Sequence, residues 1–335
     1  MEKPKVYVTS RSFGRRCARA LELVKSVADV ERNPYGRTMS EAELLEAVRD
    51  VDGLIVGNDK IDRKIIESAR RLKIVARHGV SVSNVDLKAA TENNIIVTYT
   101  PAANADAVAD FTVGLMISVA RHIPKAHAST IRGRWDSREF IGTEIRGKTL
   151  GIVGLGTIGT LVARRVKGFD MRVLYYSRTR KRHLERELGV QYVDLKTLLR
   201  ESDFVTLHVD LTEETRGMIG AEELNLMKKS AYLINTARGP VVDEEALYKA
   251  LKEKRIAGAA VDVYSKEPPS ADFPLFELDN VVTTPHIAAY TEEAIKRMDM
   301  MNAEDVVRFF SGKKPEHIAN VEVLERLKER GVFLE

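Results

Sequence analysis

A chain of 335 residues is too long for one ordinary core and points to about two domains of 100 to 200 residues each. Its 44% hydrophobic and 30% charged residues exclude a disordered chain, and 53 basic against 49 acidic residues, spread without a block of like charge, argue against a nucleic-acid partner. The single cysteine, Cys17, excludes an internal disulfide. It lies in an apolar-periodic segment that reads as helix, so a buried thiol in a reducing compartment is expected. No stretch approaches the ~18 apolar residues of a membrane span, and Met1 to Val6 run into a strand pattern without an apolar leader, which makes the cytoplasm the expected location.

From Lys5 onward, short Val- and Ile-rich runs alternate with amphipathic segments, the pattern of a parallel sheet with helices on both faces and hence of the α/β class. The first series predicts strands at Lys5 to Thr9, Gly53 to Val56, Leu72 to Ala76 and Ile95 to Thr98. Helices are predicted at Phe13 to Val27, Ser40 to Val51, Asp62 to Ala69 and Asp86 to Asn93, the second with a Ser40-Glu43 capping box. A second series follows: Thr149 to Val153, Val173 to Tyr176, Phe204 to His208, Ala231 to Asn235, Ala257 to Val261 and Val281 to Thr283. Thr100-Pro101 and Thr284-Pro285 follow the last strand of each series, and proline ends pairing, so both are candidate crossings between domains. A long helix from Thr291 to Phe310 is then expected to rejoin the first unit, which gives residues 1–101 with 288–335 as one domain and 102–287 as the other.

Gly154-Leu155-Gly156-Thr157-Ile158-Gly159 closely follows a predicted strand and opens a helix pattern. Glycines at this spacing permit a sharp turn, close approach of a pyrophosphate and tight helix packing, so a dinucleotide site is expected over a plain tight turn. Where the next strand ends, a carboxylate normally meets the ribose of NAD. Here the residues are Ser177, Arg178, Thr179 and Arg180, with no carboxylate. A hydroxyl and two guanidinium groups suit a 2′-phosphate, so NADP(H) is the preferred cofactor and NAD(H) the second; the plain alternative is a solvated basic turn. Further on, Arg238, Glu267 and His286 all fall close to strand ends, where ligands of open α/β sheets collect. Singly, each has a plain alternative: Arg238 a surface ion pair, Glu267 a helix-entry charge and His286 a hydrogen-bonded loop residue. No metal site is expected.

Four blocks carry a family resemblance: Gly147 to Gly159, Leu233 to Leu247, Ala257 to Pro269 and Asn280 to Thr291. In these the chain resembles the D-isomer-specific 2-hydroxyacid dehydrogenases. The resemblance implies a flavodoxin-like substrate domain and a Rossmann nucleotide domain, both doubly wound, with an active-site cleft between them. It implies that Arg238 binds the oxo and carboxylate oxygens of a 2-oxo acid, that Glu267 orients and charges His286, and that His286 is the general acid and base. It also implies cofactor contacts from Val108, His208, Val209, Thr236, Ala237 and Asp262, the last holding the nicotinamide carboxamide. The loop Arg77-His78-Gly79-Val80 is implied to receive the substrate carboxylate. Homodimers are usual in such a family, with an arm over about residues 121–146.

Ser81-Val82-Ser83 stands where the family commonly has Gly-Val-Asp or Gly-Tyr-Asp, and Asp210 lies near a common proline. Reduction of glyoxylate or hydroxypyruvate is the main expectation. Phosphoglycerate dehydrogenase without the regulatory domain of its long forms is the alternative, in which Arg77, and Arg138 of the arm, would meet a phosphate. A dinucleotide-sensing binding protein on the same fold is the reading from another class.

Overall fold

Runs of Val, Ile and Ala between amphipathic segments become strands buried on both faces, as a parallel sheet flanked by helices requires. The computed structural model describes residues 3–331 and divides the chain into two units. One runs to Asn104 and resumes at Tyr290; the other is Ala105–Ala289.

In the first unit β1 (Lys5–Val8), β2 (Asp29–Arg32), β3 (Gly53–Val56), β4 (Ile74–Arg77) and β5 (Ile96–Thr98) form a sheet ordered β2-β1-β3-β4-β5, every pair parallel. This is the flavodoxin-like order, with its switch between β1 and β3. The helix Glu292–Phe310, capped by Thr291, belongs to this unit. Its Ala303 and Val306 pack with Val6, Val8, Ile55 and Ile74 on one face of the sheet. Ser40 and Glu43 form the reciprocal capping box at the helix Glu41–Ala47.

Two expectations are corrected here. The helix predicted from Phe13 begins only at Ala18, with Cys17 in the N-cap position. Its thiol is free and half-buried, outside the helix instead of within it. The edge strand β2, Asp-Val-Glu-Arg, was not foreseen, because an edge strand need bury little and its charges read as a loop.

In the second unit β6 (Thr149–Val153), β7 (Arg172–Tyr176), β8 (Gln191–Tyr192), β9 (Phe204–Leu207), β10 (Tyr232–Asn235), β11 (Gly258–Val261) and β12 (Val281–Thr283) lie in the order β12-β11-β10-β9-β6-β7-β8. All pairs are again parallel. Counted from β6, this is the Rossmann order with one strand added, and the order reverses between β6 and β9. The helix Ala105–Ala120 is buried along most of its circumference. Only Asp106, Asp110 and Gly114 form an exposed stripe, and so narrow a polar face gives little helical contrast to read. No helix among the described residues is long and apolar enough to cross a membrane.

Candidate active site

Past Val153 the chain turns through Gly154 at φ +100°, a left-handed conformation that favours glycine. A Cβ at Gly154 would lie 2.4 Å from His208 O, and one at Gly159 would lie 2.2 Å from Gly154 O, so neither position admits a side chain. Gly156 differs. It caps the helix Thr157–Val166, and a Cβ there would meet nothing within 4 Å. Leu155 is buried in the core, Ile158 is half-buried, and Thr157 is exposed on the first helical turn. His208 and Val209 follow β9, the strand paired to β6, which puts this turn at the switch point. The His208 Nε2 lies 3.0 Å from Thr206 Oγ1, while its Nδ1 is buried without a partner. Burial pushes this imidazole down to about 3, so the ring is neutral near pH 7.

The turn after β7 separates its two arginines. Arg180 is held by Glu185 through two bonds of 2.8 Å and lies over the Tyr192 ring. Arg180, and then the Tyr175 hydroxyl, hold the Glu185 carboxyl down at about 2. Arg178 is 87% exposed and only 3.8 Å from Glu214. Ser177 Oγ donates to Thr179 O at 2.7 Å and closes the turn. Glu185, four residues beyond Lys181 on the following helix, was missed from sequence; its only signal was an acid one turn into a basic segment.

Three neighbouring strands, β10, β11 and β12, deliver Arg238, Glu267 and His286 just past their carboxyl ends. His286 Nδ1 lies 2.6 Å from Glu267 Oε2, and Glu267 Oε1 accepts from Tyr264 N at 3.0 Å. A carboxylate only accepts, so Nδ1 carries a proton and the ring is oriented by it. Arg238 is half-buried, with Nη1 donating to Ala237 O at 2.7 Å. The Asn235 side chain ties this turn through Arg238 O and Ala237 N, both at 3.0 Å. Thr236 is buried with its hydroxyl 2.9 Å from that of Thr112, and Thr112 donates to Val108 O at 2.8 Å. Asp262 is wholly buried, and both its oxygens accept bonds from the chain around His286. Asn235, Thr112 and Tyr264 were not singled out from sequence, since a hydrogen-bonding second layer has no motif of its own.

In the first unit, the loop after β4 is tightly pinned. His78 N donates to Val56 O at 2.8 Å and Gly79 N to Arg77 O at 2.9 Å. The buried His78 ring has Nδ1 3.1 Å from Ser10 Oγ and Nε2 2.8 Å from the buried Asp299. Arg77 reaches Asn84 at 3.1 Å, Asn58 at 3.3 Å and the His78 carbonyl.

Residues 113–288 match the family model described as D-isomer specific 2-hydroxyacid dehydrogenase, NAD binding domain. The chain belongs to the D-isomer-specific 2-hydroxyacid dehydrogenase family. It is 44% identical to a glyoxylate reductase of Thermococcus litoralis, across 96% of this chain and 98% of that protein. It is also 44% identical to a D-3-phosphoglycerate dehydrogenase of Methanocaldococcus jannaschii, across 90% of this chain but 57% of that longer protein. A solved glyoxylate reductase from Paecilomyes thermophila superposes with a TM-score of 0.84 at 29% identity, covering 95% of this chain and 99% of that one.

The chain is therefore a dehydrogenase of this family with a nicotinamide dinucleotide cofactor, and the glycine turn fits that group. Side chains are excluded at Gly154 and Gly159, and open space stands over the helix N-terminus at Gly156, the arrangement a pyrophosphate needs. The neutral His208 beside it adds a polar ring without a competing charge.

Proposed function

We propose that the protein reduces a small 2-oxo acid, glyoxylate or hydroxypyruvate, with NADPH in preference to NADH. The observation that carries this reading is the 2.6 Å Glu267–His286 pair, with Arg238 at the end of a nearby strand of the same sheet. When bound, the nicotinamide ring supplies or takes the hydride. Because Glu267 accepts at Nδ1, Nε2 is the ring position left to exchange a proton. It gives one to the substrate's oxo oxygen in reduction and takes it back from the hydroxyl in oxidation. Arg238 offers a forked donor for the oxo and carboxylate oxygens. Thr236, Ala237 and Val108 shape the nicotinamide side, and His208 and Val209 the pyrophosphate side. In the loop after β4, Val80 offers its N–H to the substrate carboxylate, while His78 and Gly79, whose N–H groups already donate within the protein, hold the loop in shape.

The NADPH preference is supported by the missing carboxylate at the end of β7 and by the exposed Arg178, whose long 3.8 Å pair with the exposed Glu214 is weak enough to be exchanged for a 2′-phosphate. Arg180, committed to Glu185, would act by shaping the turn. A second reading, use of a phosphorylated substrate, is favoured by Arg77, a guanidinium fixed at the mouth of the β4 loop. We also propose a homodimer. Ile131, Trp135 (86% exposed) and Ile141 (82% exposed) lie in one exposed segment, and covering them with a second copy would remove that apolar surface from water. Steady-state turnover on a panel of 2-oxo acids with both reduced cofactors tests the function. A kcat/KM favouring phosphohydroxypyruvate over glyoxylate, and a ratio reversed by Arg77→Ala, would replace the first reading with the second; no turnover on any 2-oxo acid would reject both.

A further inference from the structure

The helix Glu292–Phe310 carries two polar side chains, Asp299 and Asn302, that are fully buried. Its Ala303 and Val306 pack against apolar strands, so a carboxylate and an amide beside them are kept out of water at a cost. Both reach the loop after β4. Asn302 Nδ2 donates to Arg77 O at 3.2 Å, and Asp299 Oδ1 lies 2.8 Å from His78 Nε2. That contact is close but off the hydrogen-bond axis, so its attraction is Coulombic, and an acceptor oxygen at this distance requires a proton on Nε2. On the other side of the ring, Nδ1 lies 3.1 Å from Ser10 Oγ and 3.4 Å from Ser12 Oγ, and Phe13 packs edge-on with ring centroids 5.8 Å apart. The second Asp299 oxygen accepts from Gly14 N at 3.0 Å. One buried carboxylate thus ties the loop after β1 and the loop after β4 to the same helix.

Replacing a buried pair of this kind by apolar groups of like volume is often neutral or stabilising, so stability alone does not account for it. Geometry does. His78 and Val80 are two residues apart, and the chain between them is held by Thr100 N donating to Gly79 O at 3.0 Å. Where the His78 ring is fixed, the Val80 N–H is fixed with it. We infer that Asp299, acting through His78, is a positioning residue that sets where the loop after β4 presents the Val80 N–H to the substrate carboxylate. This inference rests on the reading that the loop receives that carboxylate.

The test compares Asp299→Asn, the His78→Leu/Asp299→Ala double variant, which roughly conserves volume, and Val80→Pro, which deletes the N–H itself. For each, the competitive inhibition constant of oxalate, the substrate KM, kcat, the cofactor dissociation constant and the melting temperature are measured. The double variant melts near the temperature of the unmutated protein, yet its oxalate constant and KM rise together. A hydrogen bond to a charged group is worth about 10- to 150-fold, so the rise is about tenfold or more, with cofactor affinity unchanged. Asp299→Asn, which keeps an acceptor for Gly14 N and loses the charge facing Nε2, shifts both constants the same way by less. Val80→Pro shifts them most. If Val80→Pro weakens oxalate while the folded double variant binds it normally, the inference is overturned and the loop reading stands. A double variant that weakens cofactor and oxalate equally overturns it too, because the effect is then general disruption. If the double variant does not fold, an unaltered oxalate constant in Asp299→Asn overturns the inference. Normal oxalate binding in Val80→Pro would instead sink the loop reading and the inference with it.

Discussion

Replacing Glu267 by glutamine keeps the shape of the His286 partner and removes its charge. The bond concerned is short, 2.6 Å, and charge-assisted. Hydrogen bonds to charged groups contribute about 1.5 to 3 kcal/mol. The Glu267 side chain is 37% exposed and its partner 46%, so solvent screens the pair and the lower end applies. At about 1.4 kcal/mol per factor of ten, the expected fall in kcat is roughly tenfold, with cofactor affinity unmoved because neither group faces the dinucleotide's phosphates. The loss is smaller than the about 10²- to 10⁴-fold expected for His286→Ala, since the glutamine oxygen still accepts from Nδ1. Initial rates of reduced-cofactor oxidation over a range of 2-oxo acid concentrations measure it. A kcat indistinguishable from that of the unmutated enzyme would refute the claim that the Glu267 carboxylate orients the ring for proton transfer.

Arg178→Ala should weaken NADPH by about 10- to 150-fold and leave NADH nearly untouched, as read by cofactor titration; equal affinity of the unmutated protein for both would reject the phosphate role. Asp52 is buried, which alone would raise its pKa, but the Lys5 amide, Lys73 and Arg71 outweigh burial and hold it low. A folded-state pKa below the unfolded value contributes stability at neutral pH that is lost as pH falls below about 4. Denaturant midpoints against pH should show this slope, and Asp52→Asn should flatten it while lowering stability at pH 7. Trp135→Glu should turn a homodimer into monomers by light scattering, and a monomeric unmutated protein would dismiss the interface.

The features legible from sequence alone were those that local chemistry dictates. Val- and Ile-rich runs marked every strand except β2 and β8, two edge strands with polar residues, because the interior of a parallel sheet leaves no polar face to blur the pattern. The glycines after β6 announced an anion turn, since no other residue fits at Gly154 or Gly159. Arg238, Glu267 and His286 were placed at strand ends one by one. What only tertiary structure decided was which groups are spent on holding others. Arg178 and Arg180 look equivalent in sequence, yet Arg180 is claimed by Glu185 from the next helix. Asp262 sits inside a recognisable block, but its burial and its three bonds to residues over twenty positions away depend on β11 and β12 lying side by side. Cys17 was misplaced for a similar reason, because where a helix starts depends on what satisfies its first N–H groups, and apolar spacing carries no record of that.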